Sequence, residues 1–166
     1  MKRSLAMNFA VDKDSRTIHV EREFAAPLAD VWAAWTRKEL LDQWWAPKPY
    51  RTVTRDLDFR DGGSWLYSMV GPENDTHWCR ADYEGIREME RFGMHDAFTD
   101  EKGNVKTDLP RSRWETEFRS SDDSTTVHIT IRYDKDEDPN KTIEMGFREG
   151  FTAALENLDE LLEKEF

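Results

Sequence analysis

Apolar residues recur at every second position through the first three quarters of the chain and at every third or fourth position at its end, a change of period that separates strands from helices. From Arg16 to Phe24, Ile18, Val20, Arg22 and Phe24 point one way and His19, Glu21 and Glu23 the other. That alternation predicts a half-buried strand with one charged intrusion, Arg22. Pro27 follows, a residue that loses nothing at a helix start by lacking an N–H. Leu28, Val31, Trp32 and Trp35 then fall at i, i+3, i+4 and i+7 on one helical face. A second short helix is expected from Lys38 to about Trp45, with Pro47 and Pro49 stopping it.

A run of strands follows. Tyr50 to Phe59 is the first. The Gly62-Gly63 turn opens the next, with Trp65, Tyr67 and Met69 on one face. His77 to Glu88, Arg91 to Thr99, Ser112 to Arg119 and Thr125 to Tyr133 complete the series. Turn chemistry marks Gly71 to Asp75, Asp100 to Asn104 and Ser120 to Ser124. Residues 134–142 read as a charged loop containing Pro139. The last segment carries Phe147, Phe151, Leu155, Leu158 and Leu162 in a single stripe. Gly146 and Gly150 stand near its start. They predict either a close approach of helix backbone to sheet or a late start of the helix.

The order of elements predicts an α+β domain. Its sheet is mostly antiparallel, has about six or seven strands, and curves around the long C-terminal helix, with two short helices inserted early. Residues 1–15 are expected to form a flexible tail, and residues 16–164 a single domain.

Composition narrows the picture. Aromatic residues make up 12% of the chain against 37% for all hydrophobic residues, so large rings carry much of the core. Rings that each bury about 150–250 Å² leave irregular spaces between them. A net charge of −11 disfavours nucleic acid and anionic membrane as partners. No apolar run is long enough to span a membrane. Cys79 stands alone and reads as a small apolar strand residue, and no leader-like segment opens the chain. A cytoplasmic location is therefore expected.

The four histidines, His19, His77, His95 and His128, have no metal-ligand spacing. HExxH, CxxC, the EF-hand loop, GxGxxG, the P-loop and GxSxG are all missing. No metal and no cofactor is expected. The candidate site is instead an apolar pocket lined by Trp65, Tyr67, Met69, Trp78, Met94, Phe98, Trp114, Phe147 and Phe151. Arg80, two residues beyond Trp78, is the candidate for fixing a ligand carboxylate, with Tyr83 as a second orienting group. An enzyme in the same cavity would draw on His95, Asp96 or Arg80. A docking surface for a protein partner, or for a second copy of the chain, would draw on an exposed patch around Trp44 and Trp45.

Five stretches carry a resemblance to a known family. They are Pro27 to Thr36; Leu41 to Pro47 with its Trp44-Trp45-Ala46-Pro47; Asp58 to Trp65 with Met69-Val70-Gly71-Pro72 behind it; Phe98 to Asn104; and the closing Gly150 to Leu158. In order and at natural spacing, these resemble the activator of Hsp90 ATPase homologue 1-like family (AHSA1). That family lies within the START-like, Bet v 1-like helix-grip superfamily. Phe151 stands where the family usually has tryptophan. The resemblance implies a helix-grip fold with a cavity between the sheet and the long helix. Binding of a hydrophobic or amphipathic small molecule is the leading expectation. A cyclase- or hydrolase-type enzyme and a chaperone-partner module are the alternatives it leaves.

Overall fold

The computed structural model describes residues 7–12, 14–109, 111–133, 139, 143 and 146–165. Eight strands form one antiparallel sheet: β1 (Met7–Asp12), β2 (Thr17–Phe24), β3 (Arg51–Leu57), β4 (Ser64–Val70), β5 (Thr76–Arg87), β6 (Arg91–Thr99), β7 (Arg111–Ser121) and β8 (Ser124–Tyr133). Three helices with described bounds accompany them: α1 (Leu28–Thr36), α2 (Lys38–Trp44) and α3 (Phe147–Glu165). The strand order is β1-β2-β8-β7-β6-β5-β4-β3. The meander β3 to β8 is built from direct connections, and its last strand closes against β2. This is the helix-grip architecture: a curved sheet whose inner face is covered by the C-terminal helix.

One expectation needs correction. Met7–Asp12 is not tail but a strand, paired with β2 from Met7 opposite Arg22 to Asp12 opposite Thr17. It lies at the sheet edge, and nearly all its side chains are exposed on both faces. An edge strand of this kind buries no face, so it lacks the alternation by which the others were recognised. Its one inward anchor is Phe9, whose ring centroid lies 6.2 Å from that of Phe147, with the Arg148 guanidinium 5.1 Å above its ring.

The core lies between the sheet and α3. Ile18, Val20 and Phe24 of β2 and Val127, Ile129 and Ile131 of β8 have no exposed surface. Leu155 and Leu158 cover them from α3 and are equally buried. Arg22 shares that inner face. Its guanidinium pairs with the Asp159 carboxylate of α3 and sits 5.0 Å over the ring of Phe24. Burial raises the Asp159 carboxyl above its usual range, and the Arg22 charge opposes that rise. The polar intrusion in β2 is therefore a strut between sheet and helix.

At the other end of the core the rings pack solid. Trp32 of α1 meets Phe118 edge-on at 5.0 Å, Phe59 at 5.8 Å and Phe92 at 6.1 Å. Trp35 meets Trp44 at 4.8 Å, and the Trp44 indole donates to the Ala34 carbonyl at 2.9 Å, which ties α2 to α1. Two turns among the family-like stretches have steric reasons. Gly62 has φ +83°, and a Cβ on Gly63 would sit 2.1 Å from the Asp58 carbonyl oxygen, so no other residue fits there undisturbed. The Asp100 carboxylate accepts from the backbone N–H groups of Lys102 and Asn104, both at 2.9 Å, and holds the β6–β7 turn.

The two glycines before and within α3 have different roles. Gly146 has φ +89° and precedes the first helical residue, so the helix starts late. Gly150 lies inside the helix and approaches Pro47, not the sheet; a Cβ there would make ordinary contact at 3.6 Å with that ring.

The Arg22–Asp159 strut yields a stability prediction. Removing one member of a buried pair strands the other charge and costs about 3–5 kcal/mol in a fully dry site. Asp159 keeps 28% of its side chain exposed, so Arg22→Met is expected to cost about 2–3 kcal/mol. The double variant Arg22→Met/Asp159→Leu is expected to regain most of that loss. Urea unfolding of the two variants beside the wild type measures both.

Candidate functional site

The strand periodicity that builds the core also leaves it incomplete at one end. A cavity of about 300 Å³ lies between the first turns of α3 and the inner face of β4 to β8. Phe147 and Phe151 stack on each other at 5.3 Å and roof it from α3. Trp114 of β7 meets both edge-on, at 6.1 and 5.5 Å. Met69, Phe98 and Tyr133 line it from the sheet, and Trp45 and Pro47 from the segment after α2. The space has an identifiable cause. Cys79 pairs in register with Tyr67 on one side and Phe98 on the other, so a small side chain sits between two rings. Ser112, Gly146 and Gly150 are the other small residues among the described lining.

Of the residues expected to line a pocket, Tyr67, Met69, Phe98, Trp114, Phe147 and Phe151 do so. Trp65 and Met94 face inward but are sealed in the core behind the cavity; Trp65 stacks on Tyr67 at 3.9 Å. Trp78 and Arg80 are corrections. In β5 the inward residues are Cys79, Ala81 and Tyr83, so both neighbours lie on the outer face. The Arg55 guanidinium approaches the Trp78 ring at 5.9 Å. Arg80 donates to the Gly103 carbonyl at 2.9 Å and pairs with Asp82 at 3.2 Å, which pins the β6–β7 turn from outside. The large ring of Trp78 suggested an inward register, but the outer face accommodates it and the inner face needs small residues.

His95 is also outside. It is exposed and lies 3.3 Å from Glu84. Tyr83 points inward but away from the cavity, with Phe59 at 4.9 Å. Trp44 and Trp45 form no exposed patch: Trp44 is wholly buried and Trp45 is 9% exposed. Helix α2 turns both rings toward Trp35 and the sheet.

Asp96 remains, and it enters the site. It sits between Met94 and Phe98 on the inward face of β6 and forms part of the cavity wall. A chain of polar contacts runs to it. The Trp45 indole donates to the Tyr67 hydroxyl at 3.1 Å, and that hydroxyl donates to Asp96 at 3.5 Å. Burial is the main reason the Asp96 carboxyl is raised to about 7, with the Asp82 charge adding to the rise. The Tyr67 hydroxyl and the Ala97 N–H oppose it. Burial likewise pushes up the Tyr67 hydroxyl, the Cys79 thiol and the Tyr83 hydroxyl, so all three stay neutral near pH 7. Among the described residues no group of three or more metal-ligating side chains gathers here or elsewhere. No described helix is long and apolar enough to cross a membrane.

Asp96 makes the apoprotein's stability depend on pH. Its carboxyl rises from 3.8 in the unfolded chain to about 7 in the fold, so its protonated form stabilises the fold below about pH 4. That contribution is lost as pH climbs through 7. Asp96→Asn removes the dependence. The variant is expected to match the wild type near pH 4 and to exceed it by about 2–4 kcal/mol at pH 8, at about 1.36 kcal/mol per pKa unit. Urea midpoints taken across that pH range check it.

Several solved structures share this architecture. A Mycobacterium smegmatis protein is 28% identical with a TM-score of 0.87, over 98% of this chain and 99% of its own. An Arthrobacter aurescens protein is 25% identical with a TM-score of 0.88, over 95% of this chain and 91% of its own. The AHSA1 protein of Silicibacter pomeroyi, at 21% identity and a TM-score of 0.73 over 90% of this chain and 99% of its own, shares the fold. No curated protein matches the chain significantly. The family model described as activator of Hsp90 ATPase homolog 1-like protein matches residues 25–163, from the approach to α1 almost to the end of α3, and the chain belongs to that family.

Proposed function

We propose that this protein binds a hydrophobic or amphipathic small molecule in the cavity beneath the first turns of α3. The observation that carries this reading is a mostly apolar space of about 300 Å³ in a core whose other end is packed with rings. Such a volume lies at the small end of ligand sites. An apolar body that buries about 200 Å² there gains about 5 kcal/mol at about 25 cal/mol per Å², before the cost of association. Trp114, Phe147 and Phe151 supply the area, and Asp96 with Tyr67 supplies orientation.

A second reading, general acid–base catalysis in the same space, draws on one observation: a carboxyl held near neutrality on the cavity wall. Mass analysis of a bound ligand after prolonged incubation distinguishes the two, since a carrier returns its ligand unchanged. A docking surface for a protein partner would not use Trp44 and Trp45, because both rings are buried.

Gly150 provides the test of the cavity. It lines the space from α3 and has room for a side chain next to Pro47. Gly150→Leu is expected to leave the fold intact or stabilise it by about 0.5–1 kcal/mol, because glycine is a poor helix former. It is also expected to take up part of the cavity and weaken ligand binding at least about 10-fold. Native mass spectrometry and thermal shift against a library of lipids and metabolites, run on wild type and variant, check both. A wild type that takes up nothing, or a variant that binds as well as the wild type, sinks the reading.

A further inference from the structure

Building on the cavity reading, we propose that the ligand carries a hydrogen-bond donor, by preference a protonated amine, on an apolar body of one or two rings, and that the Asp96 carboxylate receives that head. Asp96 is the only charged side chain among the described residues that line the cavity; no lysine, arginine or histidine joins it there. The arginine that the sequence offered for a ligand carboxylate, Arg80, lies on the opposite face of the sheet and is engaged with Gly103 and Asp82. The polarity of the site is therefore the reverse of the sequence-based expectation.

The polar contacts point the same way. The Tyr67 hydroxyl accepts from the Trp45 indole, which leaves its own proton directed at Asp96. A carboxylate has two oxygens and about four acceptor positions. The tyrosine covers one of them, through a long contact of 3.5 Å, and the Ala97 N–H takes a second, which leaves about two open. What the wall offers a ligand at this point is acceptor capacity. With Asp96 ionised, an anionic ligand would place a second negative charge within a few ångströms of it, and like charges that close repel. The net charge of −11 acts in the same direction. A cationic head gains an opposite charge, and it enters a wall that includes the rings of Trp45, Trp114 and Phe151, a residue class that attracts alkylammonium groups.

A matched set of probes tests this: naphthylmethylamine, naphthalenemethanol and naphthoate, which share a ring body and differ in the head. Each is titrated by calorimetry into the full-length wild type, Asp96→Asn and Gly150→Leu at about 0.15 M salt, where long-range surface attraction is screened. In the wild type the amine is expected to bind at least about 10-fold tighter than the alcohol, and the naphthoate weakest of the three. In Asp96→Asn the three are expected to converge to within about 3-fold, and Gly150→Leu is expected to weaken all of them.

If naphthoate binds the wild type as tightly as the amine, the donor-head proposal is overturned while the cavity reading stands. Amine binding that survives Gly150→Leu is association with the acidic surface, and it overturns the proposal. A preference for the amine that persists in Asp96→Asn does the same. If none of the probes binds the wild type, the cavity reading itself fails. The ranking of the three heads in the wild type needs no variant to fold.

Discussion

Burial of one stripe of α3 against the inner face of the sheet is the interaction on which the rest of this structure depends. Leu155 and Leu158 have no exposed surface and lie over strands whose inward residues are equally dry. A single helix is narrower than an eight-stranded sheet, so the sheet must curve to cover it and other elements must fill what remains. At one end α1 and α2 do this with Trp32, Trp35 and Trp44. At the other end, among the described residues, the first turns of α3 and the Trp45–Pro47 segment reach across, and the cavity lies there. The Arg22–Asp159 pair fixes the helix over β2 between the two.

Size contrast along the inner face explains why the gap persists. The wall of the cavity alternates large rings with Cys79, Ser112 and Gly150. Rings in edge-on contact with one another resist collapse into the space, because each is held by neighbours on two or three sides. Trp45 illustrates this. It touches Trp35, Trp44, Trp65, Trp114 and Phe151, and its indole N–H is committed to Tyr67. The same contacts that stiffen the wall carry polarity to Asp96, the one charged side chain among its described residues.

The stretches that resemble the family do mostly architectural work. Gly63 admits no Cβ, Asp100 holds a turn, and Arg80 and Arg55 clasp that turn from the outer face through the carbonyls of Gly103 and Glu101. Asp42 of α2 accepts from Thr54 of β3, whose hydroxyl in turn accepts from the Trp65 indole at 3.0 Å. These contacts set where the cavity walls stand, and the wall draws on both sets: Trp45, Pro47, Met69, Phe98, Gly150 and Phe151 lie within those stretches, while Tyr67, Cys79, Asp96, Ser112 and Trp114 lie outside them. Membership of the family therefore transfers the fold and leaves the ligand to be read from the wall.

Period and turn chemistry by themselves determined the seven strands β2 to β8, the three helices and the stripe of α3, because each half-buried element writes its burial into an alternation. Met7–Asp12 escaped because an edge strand exposed on both faces writes none. Alternation also assigned Tyr67, Met69 and Phe98 to one side of the sheet. It could not say which side of β5 faced inward, since Trp78 and Cys79 are both acceptable strand residues and only contact with Tyr67 and Phe98 chooses between them. The tertiary structure alone decided that Trp45 and Pro47 reach the cavity, that Arg80 does not, and that the Asp96 carboxyl lies in its wall. The physical reason is that burial of a charge depends on what covers it, and the cover comes from elements distant in the chain.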